Sequence, residues 1–157
     1  MTPEQTPITG MERKGLLSGP MRALSEFYHA FNTRDLDAMS LNWAQTDEIA
    51  MDNPLGGIKR GWKEIRAVYE RLFSGPSKVY VEFYDFTVHE AGDLFYVVGR
   101  ERGEFSQGDA AIKLAIRTSR IFRKLDGEWK QVHHHGSIDD PELLERYRTA
   151  VLAGGRR

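Results

Sequence analysis

From Met21 onward the apolar residues Leu24, Phe27, Tyr28 and Phe31 recur at three- and four-residue spacing, which predicts a helix with one buried face. Pro20 suits the first turn of that helix, and Asn32-Thr33-Arg34 interrupts it. Asp35 reads as the N-cap of a short second helix running through Met39 to Trp43. Over Glu48 to Asn53 the pattern changes to alternation, with Ile49 and Met51 on one face and Ala50 and Asp52 on the other. Asn53-Pro54-Leu55-Gly56-Gly57 is a turn, and Lys59-Arg60 leads out of it. Helical spacing returns at Trp62, Ile65, Tyr69 and Phe73, predicting a third helix from Gly61 to Phe73 that ends at Ser74-Gly75-Pro76. Beyond it the chain reads as strands over 78–89, 94–105, 111–124 and 128–137. Ala91-Gly92-Asp93, Ser106-Gln107-Gly108-Asp109 and Asp126-Gly127 separate them. Asp126-Gly127 is the clearest turn signal, because both residues tolerate the positive φ of a two-residue hairpin. Asp139-Asp140-Pro141 introduces a last helix, from Glu142 to about Leu152.

Three helices followed by four long strands in hairpin order predict an α+β architecture, with helices packed on one face of an antiparallel sheet. The 157 residues suffice for one substantial core, and no internal repeat suggests a second domain. The domain is expected over 20–152. Residues 1–19 contain Pro3, Pro7, Gly10, Gly15 and Gly19 and few large apolar groups, which predicts a flexible leader. Residues 153–157 are expected to form a tail.

Composition changes this picture little. Hydrophobic residues make up 40% and charged residues 29%, and 22 basic against 23 acidic residues leave a formal net charge of −1. That balance argues against a nucleic-acid groove or a membrane-binding face. The chain has no cysteine, which excludes disulfides, thiolate zinc ligands and thiol nucleophiles. No signal peptide or spanning segment of roughly 18 apolar residues is legible, so a cytoplasmic location is expected.

The polar residues within the last two strands are the candidate chemistry. On strand 111–124 the set Ile112, Leu114, Ile116, Thr118, Arg120 and Phe122 is mostly apolar, which turns Arg120 inward. A buried arginine must be paired or must seat an anion, since an isolated buried charge is very costly. Two readings follow for Arg120: a fixed ion pair with Glu101 on the neighbouring strand, or a planar fork that receives a carboxylate or phosphate. His133 and His135 share a face with Gln131 and Ser137, and His134 points the other way. His-x-His on a strand needs a third ligand to hold a metal and none is recognisable, so no metal site is expected. The two histidines remain candidates for acid/base work at a cavity mouth. Trp43, Trp62 and Tyr69 are core residues by default, with a ligand-facing role as the alternative.

Three stretches carry a resemblance. Phe31-Asn32-Thr33-Arg34-Asp35-Leu36-Asp37 is similar to a helix break of the nuclear transport factor 2-like fold, and within it of the SnoaL-like proteins. Asp52-Asn53-Pro54-Leu55-Gly56 with Arg60-Gly61-Trp62-Lys63-Glu64-Ile65 is similar to a second motif of the same family. The hairpin from Ser119-Arg120-Ile121-Phe122-Arg123 through Asp126-Gly127-Glu128-Trp129 to Val132-His133-His134-His135-Gly136-Ser137 resembles the association domain of calmodulin-dependent kinases. The resemblance covers roughly residues 20–150. It implies a cone-shaped (cystatin-like) fold: a curved antiparallel sheet wrapped on three N-terminal helices, with a C-terminal helix added. It also implies an apolar cavity at the open end, dimers formed through the outer sheet surface, and Phe95, Val97, Gly99 and Glu101 facing inward.

The same resemblance weighs against one activity. The ketosteroid isomerase branch uses an aspartate where this chain has Asn53, and a neutral amide is no general base. The matching phenol position falls on Phe27. Asp52 remains, but alternation turns it to the opposite face. Two functions from different classes therefore stay open. The first is a small-molecule site for an apolar, carboxylate-bearing ligand without a bound cofactor. In it Arg120 and Glu101 lie at the seat, Asn53 and Tyr69 supply hydrogen bonds, Trp43 and Trp62 supply walls, and His133 or His135 moves protons. The second is a homodimeric accessory module whose cavity is vestigial; an Arg120–Glu101 pair filling the cavity favours it. On the outside, Tyr80, Tyr84, Phe86 and Val88 are the expected dimer-facing residues if that parity of the first long strand faces away from the core.

Overall fold

A computed structural model describes residues 1–154. After a single 3₁₀ turn at Lys14–Leu16 come α1 (Gly19–Asn32), α2 (Leu36–Asn42), β1 (Ala50–Asp52), β2 (Ile58–Arg60) and α3 (Gly61–Ser74). The long strands follow as β3 (Lys78–Ala91), β4 (Leu94–Gln107), β5 (Ala110–Leu125) and β6 (Glu128–Ser137), with α4 (Pro141–Gly154) last. Of the expected tail, residues 155–157 lie outside the described residues, while Ala153 and Gly154 belong to α4.

Local rules account for the boundaries. Asp35 accepts a hydrogen bond from the Ala38 amide and caps α2, as its side chain suits it to do. Asp126 (φ 51°) and Gly127 (φ 81°) turn β5 into β6 with Leu125 opposite Glu128. The six strands form one sheet in the order β2-β1-β6-β5-β4-β3. Every neighbouring pair is antiparallel except β1 and β6, which run parallel. The helices cover the inner face. Leu24, Phe27 and Tyr28 of α1, Ile65 and Tyr69 of α3, and Phe83, Phe95, Val97, Phe105 and Phe122 of the sheet make one core.

Two β-bulges decide which residues face that core. Asp85 takes φ 49° and the β3–β4 register shifts between Tyr84 and Thr87. One extra residue reverses parity, so Tyr80 and Tyr84 lie outside while Phe86 is buried at 2% exposure. Phe86 is thus not the dimer-facing residue that simple alternation predicts, and Val88 packs against the core as well. The second bulge is in β6. Phe122 pairs with Gln131 but Ile121 pairs with His133, leaving Val132 as the additional residue.

The N-terminal segment, expected as a flexible leader, is seated along the free edge of β3. Glu4 and Phe86 exchange backbone hydrogen bonds of 2.7 and 3.1 Å, and Ile8 and Phe83 exchange bonds of 2.8 and 2.9 Å. Ile8 is buried. Gly10 (φ 88°) lies so close to α1 that a Cβ there would sit 2.2 Å from the His29 amide nitrogen. The Glu12 carboxylate accepts from the Thr9 and Gly10 amides and from the Thr9 and Ser25 hydroxyls. Backbone pairing and local turn bonds hold this strap, and neither produces an apolar period in the sequence.

Arg34 sits in the left-handed region (φ 59°) just after α1. Its guanidinium donates to the carbonyls of Leu72, Phe73, Gly75 and Ser77 at 2.6 to 3.1 Å. Those include the last, otherwise unsatisfied, carbonyls of α3, so one cation closes that helix and ties it to the α1–α2 break. Among the described residues no helix is long and apolar enough to cross a membrane.

Candidate functional site

Arg120 lies on the inner face of β5 and is 2% exposed, as the alternation of that strand predicts. Its Nη2 donates to Glu101 Oε2 at 3.1 Å, its Nη1 to Gln131 Oε1 at 2.8 Å, and its Nε to the Tyr28 hydroxyl at 3.3 Å. The guanidinium carbon stands 3.6 Å from the centre of the Phe27 ring. Glu101, 5% exposed, also accepts from the Tyr28 hydroxyl at 2.7 Å and from Thr118 Oγ1 at 3.0 Å. Beyond Gln131 the chain of bonds continues through Asn42 to the Ala23 carbonyl. One network therefore joins α1, α2, β4, β5 and β6.

The electrostatics follow from this closure. Burial alone would push the guanidinium pKa down, but Tyr28 and Glu101 beside it more than offset that, so Arg120 stays charged. Burial holds the Tyr28 phenol well above its ordinary value, and that of Tyr69 is pushed up to about 12, opposed by the nearby Arg120 charge. Both phenols are neutral donors near neutral pH. The charges of Arg120 and Glu101 cancel inside the cone. All three guanidinium nitrogens and both carboxylate oxygens meet protein partners.

Glu101 and Arg120 are in direct contact, with Tyr69 close enough to feel both charges. Trp43, 1% exposed, is at the end of α2, and its indole Nε1–H has no hydrogen-bond partner among the described residues. Trp62 is half-buried on α3 and packs against the core, and Asn53 is half-buried in the turn between β1 and β2. Tyr28, Gln131, Thr118 and Asn42 are the network members the sequence reading missed. Tyr28, the neighbour of Phe27 on α1, brings a phenol into the network through Glu101 and Arg120. Gln131 lies on the face opposite to His133 and His135, because the bulge at Val132, which carries no signal in composition, intervenes.

That bulge also inverts the histidines. His134, 5% exposed, faces inward and pairs across the sheet with Arg120, its Nδ1–H donating to the Ser119 carbonyl at 3.3 Å. Burial, with Arg120 beside it, holds its pKa well below the usual histidine value. His133 and His135 share a face as expected, but it is the outer face of the sheet rather than a cavity mouth. There His135 Nδ1 bonds the Asp52 carboxylate, and His133 bonds the Ala50 carbonyl at 3.0 Å through Nδ1 and lies 3.7 Å from Asp52 through Nε2. Among the described residues no group of three histidine or acidic side chains is arranged to hold a metal ion.

A curved, unclosed six-stranded sheet with helices on its inner face is the architecture of the nuclear transport factor 2-like class of α+β proteins. Residues 21–141 match the SnoaL-like domain family, and the chain belongs to it. Among solved structures, a protein of Streptomyces avermitilis described as a candidate dehydratase of the NTF2-like family shares 21% identity. The match covers 84% of this chain and 97% of that one, with a TM-score of 0.67. A candidate calcium/calmodulin-dependent protein kinase type II association domain from Thiobacillus denitrificans is 26% identical over 79% of this chain and 98% of its own, with a TM-score of 0.62. In sequence, F-box protein SKIP8 of Arabidopsis thaliana is 23% identical over 148 residues, 88% of this chain. The match spans 59% of that protein's length.

Proposed function

We propose that this SnoaL-like domain serves as a self-associating accessory module. The observation that carries this reading is the state of Arg120. It is buried, stacked on Phe27, and bonded through each of its three nitrogens to Glu101, Gln131 or Tyr28, so the fork is already occupied by protein groups. A cone closed in this way contributes rigidity rather than a charged seat. The similarity to a kinase association domain supports assembly. So does the outer sheet face, where Tyr80, Tyr96 and Val98 are exposed at 44%, 40% and 46%. A homodimer through that face should be visible by multi-angle light scattering on the full chain. Tyr96→Asp, at a position the monomer already exposes, should dissociate it without loss of folded signal in circular dichroism. A wild-type chain that stays monomeric at high micromolar concentration would remove this reading.

One observation favours a second reading, a cone that takes a small ligand. The Trp43 indole N–H is buried and makes no hydrogen bond of normal geometry among the described residues, while the Tyr69 hydroxyl stands beside it and near Arg120. Buried donors of this kind normally find a partner. A carbonyl- or carboxylate-bearing apolar molecule offers one, and cofactor-independent acid/base chemistry of an isomerase, cyclase or hydratase type would fit such a seat. A thermal-shift screen of carboxylates and polyketide-like compounds tests it, since binding to the native state raises the melting temperature.

A further inference from the structure

The registers of the sheet assemble a second arrangement on the outer face, separate from the Arg120 network. Thr87, Val98, Ser119, His135 and Asp52 lie opposite one another in sequence across β3, β4, β5, β6 and β1. All point outward, and Thr87, Val98 and Ser119 are small. One pair along, Arg100, Arg117 and Ser137 form a parallel row; on the other side Tyr96, Ile121 and His133 form another. A row of small side chains between two taller ones is a trough. On its arginine side it opens into a groove of about 460 Å³ lined by Val98, Arg100, Arg117, Ser119, His135 and Asp85, with Pro3 of the N-terminal strap among the lining residues. That volume lies within the range of small-molecule sites.

The walls differ in chemistry. Arg117 is exposed, its Nε donates to Ser137 Oγ at 3.2 Å, and among the described residues no carboxylate is within salt-bridge distance of it. Arg100 is shared loosely between Asp85 at 3.7 Å and Asp139 at 3.8 Å. His135 bonds Asp52 through Nδ1, and a carboxylate only accepts, so Nδ1 carries the proton and Nε2 is the free nitrogen. An aspartate that fixes the tautomer in this way orients the ring for proton transfer at its other nitrogen. The apolar part of the lining is Val98, which pairs with Thr87 across the sheet.

We infer that this groove binds a small organic anion, its carboxylate or phosphate seated on Arg117, its apolar body over Val98 and Ser119, with the Asp52-oriented His135 as the proton-exchanging group beside it. Arg117 pairs with Ser137 and His135 lies two residues from that partner, so the two are diagonal neighbours within reach of one ligand. The site is independent of the cone interior. It shares Val98 with the face assigned above to self-association, so ligand and second copy compete for it.

Benzoate, which carries both the head and the body, and inorganic phosphate, which carries the head alone, are the probes. Titration of the isotopically labelled full chain, at a concentration where light scattering shows a monomer, separates binding from assembly. Followed through the imidazole resonances, it should shift His135 and leave the buried His134 unmoved. Benzoate should bind more tightly than phosphate, and Arg117→Gln should weaken both by about ten-fold or more, the usual effect of losing a charge-assisted hydrogen bond. Arg120→Gln serves as the comparison: a response of benzoate binding to that change and none to Arg117→Gln would move the anion to the cone and overturn the proposal. Absence of any shift at His135, or benzoate affinity within two-fold of wild type in Arg117→Gln, overturns it equally.

Discussion

Glu101 and Arg120 offer the sharpest test of how the interior is held. Glu101→Gln keeps the shape of the side chain but leaves Arg120, 2% exposed, without its counter-charge. Arg120→Met keeps length and apolar volume but strands the Glu101 carboxylate at 5% exposure. Removing one partner of a buried pair costs about 3–5 kcal/mol, because the remaining charge is desolvated and uncompensated. For a domain of this size that is a fall of roughly 10 °C in melting temperature. The double variant should lose far less than the sum. Its neutral glutamine in place of Glu101 can still accept from one of the Tyr28 and Thr118 hydroxyls and donate its amide to the other, and the methionine can rest on the Phe27 ring where the guanidinium now lies. The coupling energy expected from the cycle is about 2–3 kcal/mol, at the upper end for residues in direct contact. Urea unfolding followed by tryptophan fluorescence gives all four stabilities by linear extrapolation. Two single variants that each cost under about 1 kcal/mol and add within about 0.5 kcal/mol would show a solvated pair and refute the closed cone.

Two further outcomes follow from other buried groups. Arg34→Ala should destabilise the fold by about 2–4 kcal/mol in the same urea assay, since four carbonyls at the end of α3 and beyond lose a charged donor. Arg34→Lys should recover little of it, because one ammonium cannot span the fork; full recovery by lysine would contradict the geometry. His134 sets a pH dependence. Its folded pKa lies well below the unfolded value of 6.5, so below pH 6.5 the unfolded chain binds the extra proton and stability falls as pH drops, by up to about 1.4 kcal/mol per unit. Above pH 6.5 the contribution is constant. Replacing it with glutamine should flatten that slope between pH 5 and 6.5, and an unchanged slope would place the titration elsewhere.

The helices, the order of the long strands and the inward turn of Arg120 were all legible because each rests on a period that a single run of residues displays. Leu24, Phe27, Tyr28 and Phe31 announce α1, and alternation from Ile112 to Phe122 orients β5. What escaped the sequence lies wherever one residue breaks the period. The bulge at Asp85 buries Phe86, and the bulge at Val132 brings Gln131 and His134 to the inside while carrying His133 and His135 out to Asp52. A histidine triplet has no apolar partner to betray which of its members faces the core, so no count along β6 could settle it. The edge-bound strap at Glu4 and Ile8 was equally silent, being held by main-chain bonds that any sequence can make. The bulges carry a consequence for function in a fold such as this one. Because a bulge exchanges the two faces of a strand downstream of it, it also exchanges which residues can serve a cavity and which can serve a surface. The acid/base candidates of this chain belong to the outer sheet, and the inner polar network is left to hold the cone together.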